Sequence, residues 1–335
     1  MSMTRVVIPV RSMHEPRPSD QWAAFFHRVW PSYKSWFLSE GYTKRPGYLT
    51  SARRLERYML ELMPVYEKLV SLSGGADIES RFLTLWCPPP FLAGCSQIAW
   101  TKHGNYLLRN YDYSPMYFDG VLLYSEWIRP VIGMVDCTWG LLDGMNGCGL
   151  AASLTFGGRK ITGEGFGIPL VLRYVLETCD TTEEAIDTFK RIPIHMSYNV
   201  TLIDKSGKYA TLYLGPDRQP SVINEPTCTN HQHGIEWTDY AELTSTVERK
   251  TFLDICSVQE SEDVHTLLRK FLKPPLYSTR FDKAFGTLYT VLYDLSNSKM
   301  ELHWPDKQLH QSFDNFKPGK TTTHLQRYAS GKLVG

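Results

Sequence analysis

Apolar residues recur at helical spacing through the first part of the chain. In the stretch "DQWAAFFHRVWPSYKSWF", tryptophan and phenylalanine stand three or four positions apart, and the pattern stops before Gly41. A second stretch, "SARRLERYMLELMPVYEKLVSL", repeats this spacing up to Gly74, and Pro64 predicts a break inside it. The first 90 residues are therefore predicted to be helical.

Short strands replace the helical pattern after "WCPPPFLAGCS", whose consecutive prolines predict an extended linker. The stretches "SQIAW" and "YLLRNYDY" flank the turn "TKHGN" and predict a hairpin. Further hairpins are predicted around Asn146–Gly147, "KSGK" and "SNSK", and helices in "IPLVLRYVLETC", "TTEEAIDTFKRI", "TSTVERKTFLDIC" and "DVHTLLRKFL". Hairpins interrupted by paired helices predict an α+β fold with largely antiparallel sheets.

Charge and hydropathy exclude several classes of partner. Lysine plus arginine number 36 against 35 acidic residues, so no basic surface for nucleic acid or an acidic membrane is predicted. No stretch approaches the roughly 20 apolar residues of a membrane span, and the run Val6–Val10 is too short for a signal peptide. We expect a cytoplasmic protein, and the sequence is compatible with a homo-oligomer.

Cysteine and histidine patterns argue against metal and cofactor sites. The seven cysteines form no C-x-x-C pair, so neither a disulfide framework nor a structural zinc site is predicted. His231 and His233 lack an evident third ligand, and "GEGFG" lacks the spacing of a dinucleotide site. We predict no metal and no cofactor.

Cys95 is the candidate nucleophile, because it stands where the linker gives way to strands. A thiolate needs a nearby base or cation, and the predicted hairpin turn brings Arg109 or Asp112 back towards Cys95. The alternatives are that Cys95 is a small core residue and that Arg109 and Asp112 form a structural ion pair. Asn146 is predicted to serve the hairpin turn, with a contact to substrate as the alternative.

A series of motifs in fixed order resembles the cysteine branch of the N-terminal-nucleophile hydrolases. The motifs are "AGCSQIAW", "LLRNYDYSP", "DGMNGCGLAASLTF", "GEGFGIPLVLRYVLETCDTTEEA", "CTNHQ" and "STVERKTFL", which together span Cys95 to about Trp304. They are similar to the isopenicillin N acyltransferase group and, more distantly, to choloylglycine hydrolases. The resemblance implies a four-layer αββα sandwich, with two antiparallel sheets packed between helices.

The resemblance also implies self-cleavage of the Gly94–Cys95 bond. Residues 1–94 would then be a helical pro-segment, removed or retained as a separate chain, and residues 95–335 the catalytic domain. Glycine at position 94 suits this reaction, because a Cβ would obstruct the distorted backbone that the attack requires. The new α-amino group, with an ordinary pKa near ~8, could act as general base for its own thiol.

The site residues carry over from the family by position. Arg109 would lie beside the thiolate, and Asp112 would orient the amine or the thiol. Asn230 would supply the side-chain donor of the oxyanion hole and Thr155 a backbone N–H donor. The late arginine of the site would be Arg249. Apart from the family, His231 and His233 are candidates for the pocket wall beside Asn230. Without the resemblance, Asn230 is equally well a turn residue and Arg249 a solvated helix face.

The predicted activity is hydrolysis of a linear carbon–nitrogen amide through a thioester acyl-enzyme. Aromatic residues in "DYSPMYF", Trp127 and Trp139 are candidates for the wall of a pocket that takes an apolar acyl group of a small-molecule substrate, with core packing as the alternative for most of them. Acyl transfer to an amine is the second prediction. A non-catalytic homologue that stays uncut, and a thiol hydrolase with a histidine base, are the alternatives from other classes.

Overall fold

The computed structural model describes residues 5–259 and 263–326 of the chain. The helices are α1 (Asp20–Phe37), α2 (Tyr48–Tyr58), α3 (Met63–Leu72), α4 (Asp77–Leu83), α5 (Ile168–Thr178), α6 (Thr182–Arg191), α7 (Thr238–Thr244), α8 (Thr246–Val258) and α9 (Val264–Phe271). The strands are β1 (Arg5–Glu15), β2 (Gly94–Trp100), β3 (Tyr106–Tyr113), β4 (Val121–Ser125), β5 (Val131–Asp136), β6 (Gly140–Asn146), β7 (Leu150–Phe156), β8 (Tyr198–Asp204), β9 (Tyr209–Leu214), β10 (Ser221–Ile223), β11 (Thr227–Cys228), β12 (Thr279–Arg280), β13 (Phe285–Asp294), β14 (Lys299–Trp304), β15 (Lys307–Ser312) and β16 (Gly319–Gln326).

Two sheets form the centre of the molecule. The first has the order β10-β9-β8-β7-β6-β5-β4-β1-β16, and all its pairs are antiparallel except β1 with β4. The second has the order β11-β2-β3-β13-β14-β15, with β12 beside β13, and is antiparallel throughout. Strand β2, which carries Cys95, therefore lies between β11 and β3.

The sheets pack face to face, with helices on their outer faces. Helix α5 covers β6 and β7, whereas α8 and α9 lie against β2 and β3 of the other sheet. Between the sheets, β2 contacts β7 and β8. This arrangement is the predicted α+β fold with two sheets between helical layers. None of the helices in the described part of the chain is long and apolar enough to cross a bilayer.

The predicted elements from Cys95 onward are confirmed, and so are the predicted breaks. Helix α2 ends at Tyr58 and α3 begins at Met63, so that Pro64 occupies the first turn, where its missing N–H costs no hydrogen bond. The Thr181 side chain caps α6 by accepting a hydrogen bond from the Glu184 N–H. Asn146 serves its hairpin, since its side chain accepts from the N–H groups of the turn at Cys148 and beyond.

The N-terminal segment is not helical throughout, which corrects the prediction for its first residues. Strand β1 pairs with β4 on one side and β16 on the other, because its alternating Ile8 and Val10 face the core. Helix α1 follows, and its Trp22 Nε1 donates to the Thr138 carbonyl at 3.0 Å. In the uncut chain, residues 5–94 thus contribute a strand and a helical layer to the same core as the rest.

Candidate active site

The Cys95 thiol faces the space between the two sheets. Gln97, two residues along β2 and therefore on the same face, donates to Thr201 Oγ1 at 2.7 Å and accepts from Ser153 Oγ at 2.7 Å across that space. The register of the β2–β3 hairpin pairs Cys95 with Tyr111 and Gln97 with Arg109, so all four side chains share one face. Cys95 is fully buried in the uncut chain.

Arg109 brings a positive charge to the thiol. Its Nη2 lies 3.2 Å from Cys95 Sγ, while its Nη1 pairs with the Asp143 carboxylate and lies 3.1 Å from the Tyr289 hydroxyl. Asp143 also accepts hydrogen bonds of 2.6 Å from the hydroxyls of Tyr289 and Tyr293. Because all of these side chains are fully buried and the carboxylate is well hydrogen-bonded, the guanidinium is held in one orientation towards the sulfur.

Asn230 and Arg249 contact the backbone at Cys95. Asn230 Oδ1 accepts from the Cys95 N–H at 2.9 Å and from Arg249 Nη2 at 2.8 Å. Its Nδ2 donates to the carbonyls of Ala93 and Phe156, both at 3.1 Å. Arg249 Nη1 donates to the Cys95 carbonyl, so the chain is fixed on both sides of the Gly94–Cys95 bond.

Asp112 lies on the other face of the sheet from the thiol. It pairs with Gly94 in the hairpin register, and its Oδ1 accepts from Thr287 Oγ1 at 2.6 Å. Its Oδ2 is 3.9 Å from Arg249 Nη1 and has no hydrogen-bond partner among the described residues. Burial raises the pKa of Asp112, and Arg249 opposes that rise. One carboxylate oxygen is thus available close to the backbone of Gly94.

Thr155 and His231 lie near this cluster but direct their side chains elsewhere. Thr155 Oγ1 donates to the Thr229 carbonyl at 2.9 Å, which holds β7 against the segment that leads to Asn230. The His231 ring nitrogen Nδ1 lies 2.9 Å from Thr246 Oγ1, and burial lowers the pKa of the imidazole. Neither side chain makes a hydrogen bond to Cys95.

Electrostatics keep the thiol protonated before any cleavage. Burial raises the pKa of Cys95, and the nearby Asp112 carboxylate adds to this effect, whereas Arg109 and Arg249 act against it. The hydrogen bonds of the described residues give Sγ the partner Arg109 and no histidine. The arrangement can therefore stabilise a thiolate once a base removes the proton, but that base is not an imidazole of this cluster.

A cavity of about 700 Å³ opens on the same side of the hairpin as the thiol. Tyr111, the register partner of Cys95, forms part of its wall, and the Arg109 guanidinium lies 4.8 Å from the centre of that ring. Helix α1 supplies another wall through Tyr33 and Trp36.

Within residues 5–259 and 263–326, no three histidine, cysteine or acidic side chains are grouped so that they could hold a metal ion.

Comparison with known proteins places this geometry in a family. Residues 100–309, more than half of the chain, match the family described as acyl-coenzyme A:6-aminopenicillanic acid acyl-transferase. The chain belongs to this family. The match begins five residues after Cys95, so the Gly94–Cys95 bond precedes it. The resemblance to the acyltransferase branch of the N-terminal-nucleophile hydrolases is confirmed.

Several solved structures are similar in part. A mutant conjugated bile acid hydrolase from Clostridium perfringens is 14% identical, with 72% of this chain and 100% of that chain covered and a TM-score of 0.45. A Caenorhabditis elegans ortholog of N-acylethanolamine-hydrolyzing acid amidase is 15% identical, with 68% and 98% covered and a TM-score of 0.45. Penicillin V acylase from Agrobacterium tumefaciens is 14% identical, with 66% and 78% covered and a TM-score of 0.37. No curated protein sequence matches the chain significantly.

Sequence reasoning on this family member missed the residues that hold Arg109. Asp143 stands inside the motif "DGMNGCGLAASLTF", of which only Asn146 and Thr155 are assigned roles from the sequence. A usable signal was present, because a lone carboxylate in the apolar run "WGLLDGM" requires a buried partner. Tyr289 and Tyr293 carried no comparable signal, since tyrosines on a strand are ordinary core residues.

Proposed function

We propose that this family member is an enzyme that cleaves linear amide bonds with the Cys95 thiol, after cutting its own Gly94–Cys95 bond. The observation that carries the proposal is the double role of the Asn230 side chain. Its Oδ1 accepts from the nitrogen of the bond to be cut, and its Nδ2 donates to the carbonyl of Ala93, one residue before that bond. These two hydrogen bonds lie on the peptide bonds that flank Gly94, so Asn230 fixes the backbone on either side of the carbonyl to be attacked.

Self-cleavage follows from the position of the thiol on its own peptide. Sγ attacks the Gly94 carbonyl carbon, the carbon–nitrogen bond breaks, and the departing nitrogen takes up the thiol proton to become the α-amino group of Cys95. Water then attacks the thioester, which leaves a carboxylate on Gly94 and a free thiol on Cys95. Gly94 lies where a side chain would clash with Phe285, so the attacked carbonyl is approached without obstruction from a Cβ.

The mature site would use the same atoms on a substrate amide. The α-amino group, held by Asn230 Oδ1, would take the thiol proton, and Arg109 would stabilise the thiolate. After Ala93 withdraws, Asn230 Nδ2 would be free to donate to the oxyanion of the tetrahedral intermediate. Thr155 remains the predicted source of a second, backbone donor, and it precedes Phe156, whose carbonyl binds the same Nδ2.

The N-terminal fragment would stay bound after cleavage. Strand β1 lies between β4 and β16, and α1 walls the cavity beside the thiol, so loss of residues 1–94 would open both the sheet and the pocket. The aromatic walls of that cavity favour an apolar acyl group.

Acyl transfer is the second candidate, and the observation that favours it is the family itself, whose description names an acyl-transferase. Hydrolysis and transfer differ only in whether water or an amine reaches the thioester. Addition of a primary amine to a working hydrolysis assay separates them, because transfer yields the new amide at the expense of the free acid.

The deciding experiment is the intact mass of wild type beside Cys95→Ala. We expect wild type to give two fragments divided between Gly94 and Cys95, which elute together under native conditions, and Cys95→Ala to remain one chain. Two intact chains would refute self-cleavage, and separation of the wild-type fragments under native conditions would refute retention.

A further inference from the structure

The cavity beside the thiol lies on the acyl side of the bond that reacts. In self-cleavage the attacked carbonyl belongs to Gly94, so the residues that precede it stand where the acyl chain of a substrate would lie. Phe91, three residues before that carbonyl, is part of the cavity wall, and Tyr111 on the other wall is the register partner of Cys95. An acyl chain reaching from the thiol into this cavity would extend up to about 10 Å, the span of three extended residues.

Two carboxylates line this cavity together with aromatic rings, three serines and Arg28. Asp136 ends β5 and is 92% buried, since its exposure is 8%. Its Oδ1 accepts from the Tyr33 hydroxyl at 3.3 Å, and the weak donor Cys137 Sγ lies 3.8 Å from its Oδ2. Asp119, in the loop before β4, accepts from the Thr138 N–H at 3.3 Å. These are neutral donors, so neither carboxylate is neutralised by them.

No ion pair between described residues includes either carboxylate. Arg28 lines the same cavity, and its charge lowers the pKa of Asp119, but by less than burial and the Asp136 charge raise it. Burial and the neighbouring Asp136 charge raise the pKa of Asp119 to about 8, and burial raises that of Asp136 to about 6. Burial thus disfavours ionisation of both carboxylates unless a cation lies beside them.

The rings around the pair add to its attraction for a cation. Tyr33, Trp36, Tyr113 and Phe118 line the cavity together with Tyr111. Aromatic faces attract ammonium groups, and the attraction is stronger where the site is desolvated. Two carboxylates that form no ion pair, with a single arginine, Arg28, in the lining of the same cavity, are complementary to an organic cation and repel an acyl group that ends in a carboxylate.

We propose that this cavity selects acyl groups that carry an ammonium group, with Asp119 and Asp136 as the residues that recognise the charge. That the bound group is the acyl part of a substrate rests on the proposed function. The binding of the cation itself does not require catalysis. The alkyl part of such a group would pack against the aromatic walls, and the ammonium would lie beside the two carboxylates and favour their ionised forms.

Binding can be measured on Cys95→Ala, which keeps the cavity and cannot react. We expect hexylamine, protonated at pH 7, to bind this protein at least tenfold more tightly than hexanol in isothermal titration calorimetry. In the background of Cys95→Ala, the added pair Asp119→Asn and Asp136→Asn should equalise the two ligands. The matched control is Asp187→Asn, at an exposed carboxylate on α6, which should leave the preference unchanged. Equal binding of both ligands to Cys95→Ala, or a preference that survives loss of both carboxylates, would overturn the proposal.

Catalysis supplies the second test. The 4-nitroanilides of 6-aminohexanoic, heptanoic and adipic acid differ mainly in the charge at the end of the acyl chain. We expect wild type to favour the ammonium compound over the neutral one at least tenfold in kcat/KM and to act least on the anionic one. The Asp119→Asn and Asp136→Asn double variant should lose the preference, so that its kcat/KM values for the ammonium compound and for heptanoyl anilide become equal. If wild type hydrolyses heptanoyl anilide as fast as the ammonium compound, the proposed specificity is refuted but the proposed function is not. If wild type shows neither hydrolysis nor self-cleavage, the proposed function is refuted. The calorimetric result then decides whether the cation site exists.

Discussion

A methyl group at position 94 should disturb both stability and self-cleavage. A Cβ built on Gly94 would lie 1.7 Å from Phe285 Cε2 and 2.6 Å from Cδ2 and Cζ of the same ring. Phe285 is buried between two guanidinium groups, with Arg249 at 5.4 Å and Arg280 at 5.3 Å from the ring centre. The ring therefore has little room to move, and the strand or the ring must shift by more than 1 Å.

The size of the effect follows from that overlap. Overpacking of a buried site costs about 1–3 kcal/mol, and we expect Gly94→Ala to lower the free energy of unfolding by that amount. A shift of about 1 Å at the reacting carbonyl costs roughly 10²-fold in rate, so self-cleavage should slow to a comparable extent. The cause is steric, because Gly94 does not occupy the left-handed backbone region.

Urea unfolding and time-resolved intact mass measure the two effects. Unfolding is compared in the Cys95→Ala background, so that every protein is a single chain. Gly234→Ala is the matched control, since no atom lies within 4 Å of a Cβ at that position. Phe285→Ala alone should cost about 3–5 kcal/mol, but combined with Gly94→Ala the total should fall short of the sum by about 1–3 kcal/mol. Strict additivity of the two substitutions, or self-cleavage of Gly94→Ala at the wild-type rate, would refute the steric argument.

Three further predictions concern single side chains. Asp143→Asn removes the counter-charge of Arg109 and should lower the free energy of unfolding in urea by about 3–5 kcal/mol. Tyr293→Phe removes one hydrogen bond to the same carboxylate and should lower it by about 1 kcal/mol. Equal losses for the two variants would contradict the assignment of Asp143 as the counter-charge of Arg109. Asn230→Ala removes the side chain that holds the Cys95 N–H and the Ala93 carbonyl and should slow self-cleavage by about 10²-fold in the mass assay, and an unchanged rate would exclude that positioning role. His195 has its pKa lowered to about 3 by burial, from an ordinary 6.5, so the unfolded chain binds the proton more readily and stability is lost as the pH falls below 6.5. The loss should approach about 1.4 kcal/mol per pH unit between 6.5 and 3, and His195→Gln should flatten this slope in unfolding experiments at pH 7 and pH 5; identical slopes would refute it.

The sequence predicted elements well where the signal is local. The helices, the breaks at proline and the hairpins depend on the spacing of apolar residues and on turn residues a few positions apart, and they are present as predicted from Cys95 onward. The order of short motifs also sufficed to indicate the family, and it pointed to Arg109 and Asn230, which both contact Cys95.

Strand β1 shows where local reasoning ends. The run Val6–Val10 is too short for a signal peptide, and no strand is predicted for it from the sequence. In the structure, Ile8 and Val10 are buried and alternate with the exposed Val7. Its partners, β4 and β16, lie more than 100 and 300 residues further along the chain. A strand whose stability comes from such distant partners has no helix-like local signature, so only the folded sheet identifies it.

The sequence by itself determined the order of the elements, the candidate nucleophile at Cys95 and the residue types that could serve it. The tertiary structure decided which of those residues are in contact. It placed Arg109 against the thiol and Asp112 on the opposite face of the same sheet. It also brought Asp143 to Arg109 and placed two carboxylates in the wall of the cavity. The physical reason is that hydrogen bonds and ion pairs act over about 3–4 Å in space, and residues far apart in the chain come within that range only when the two sheets and α1 pack together.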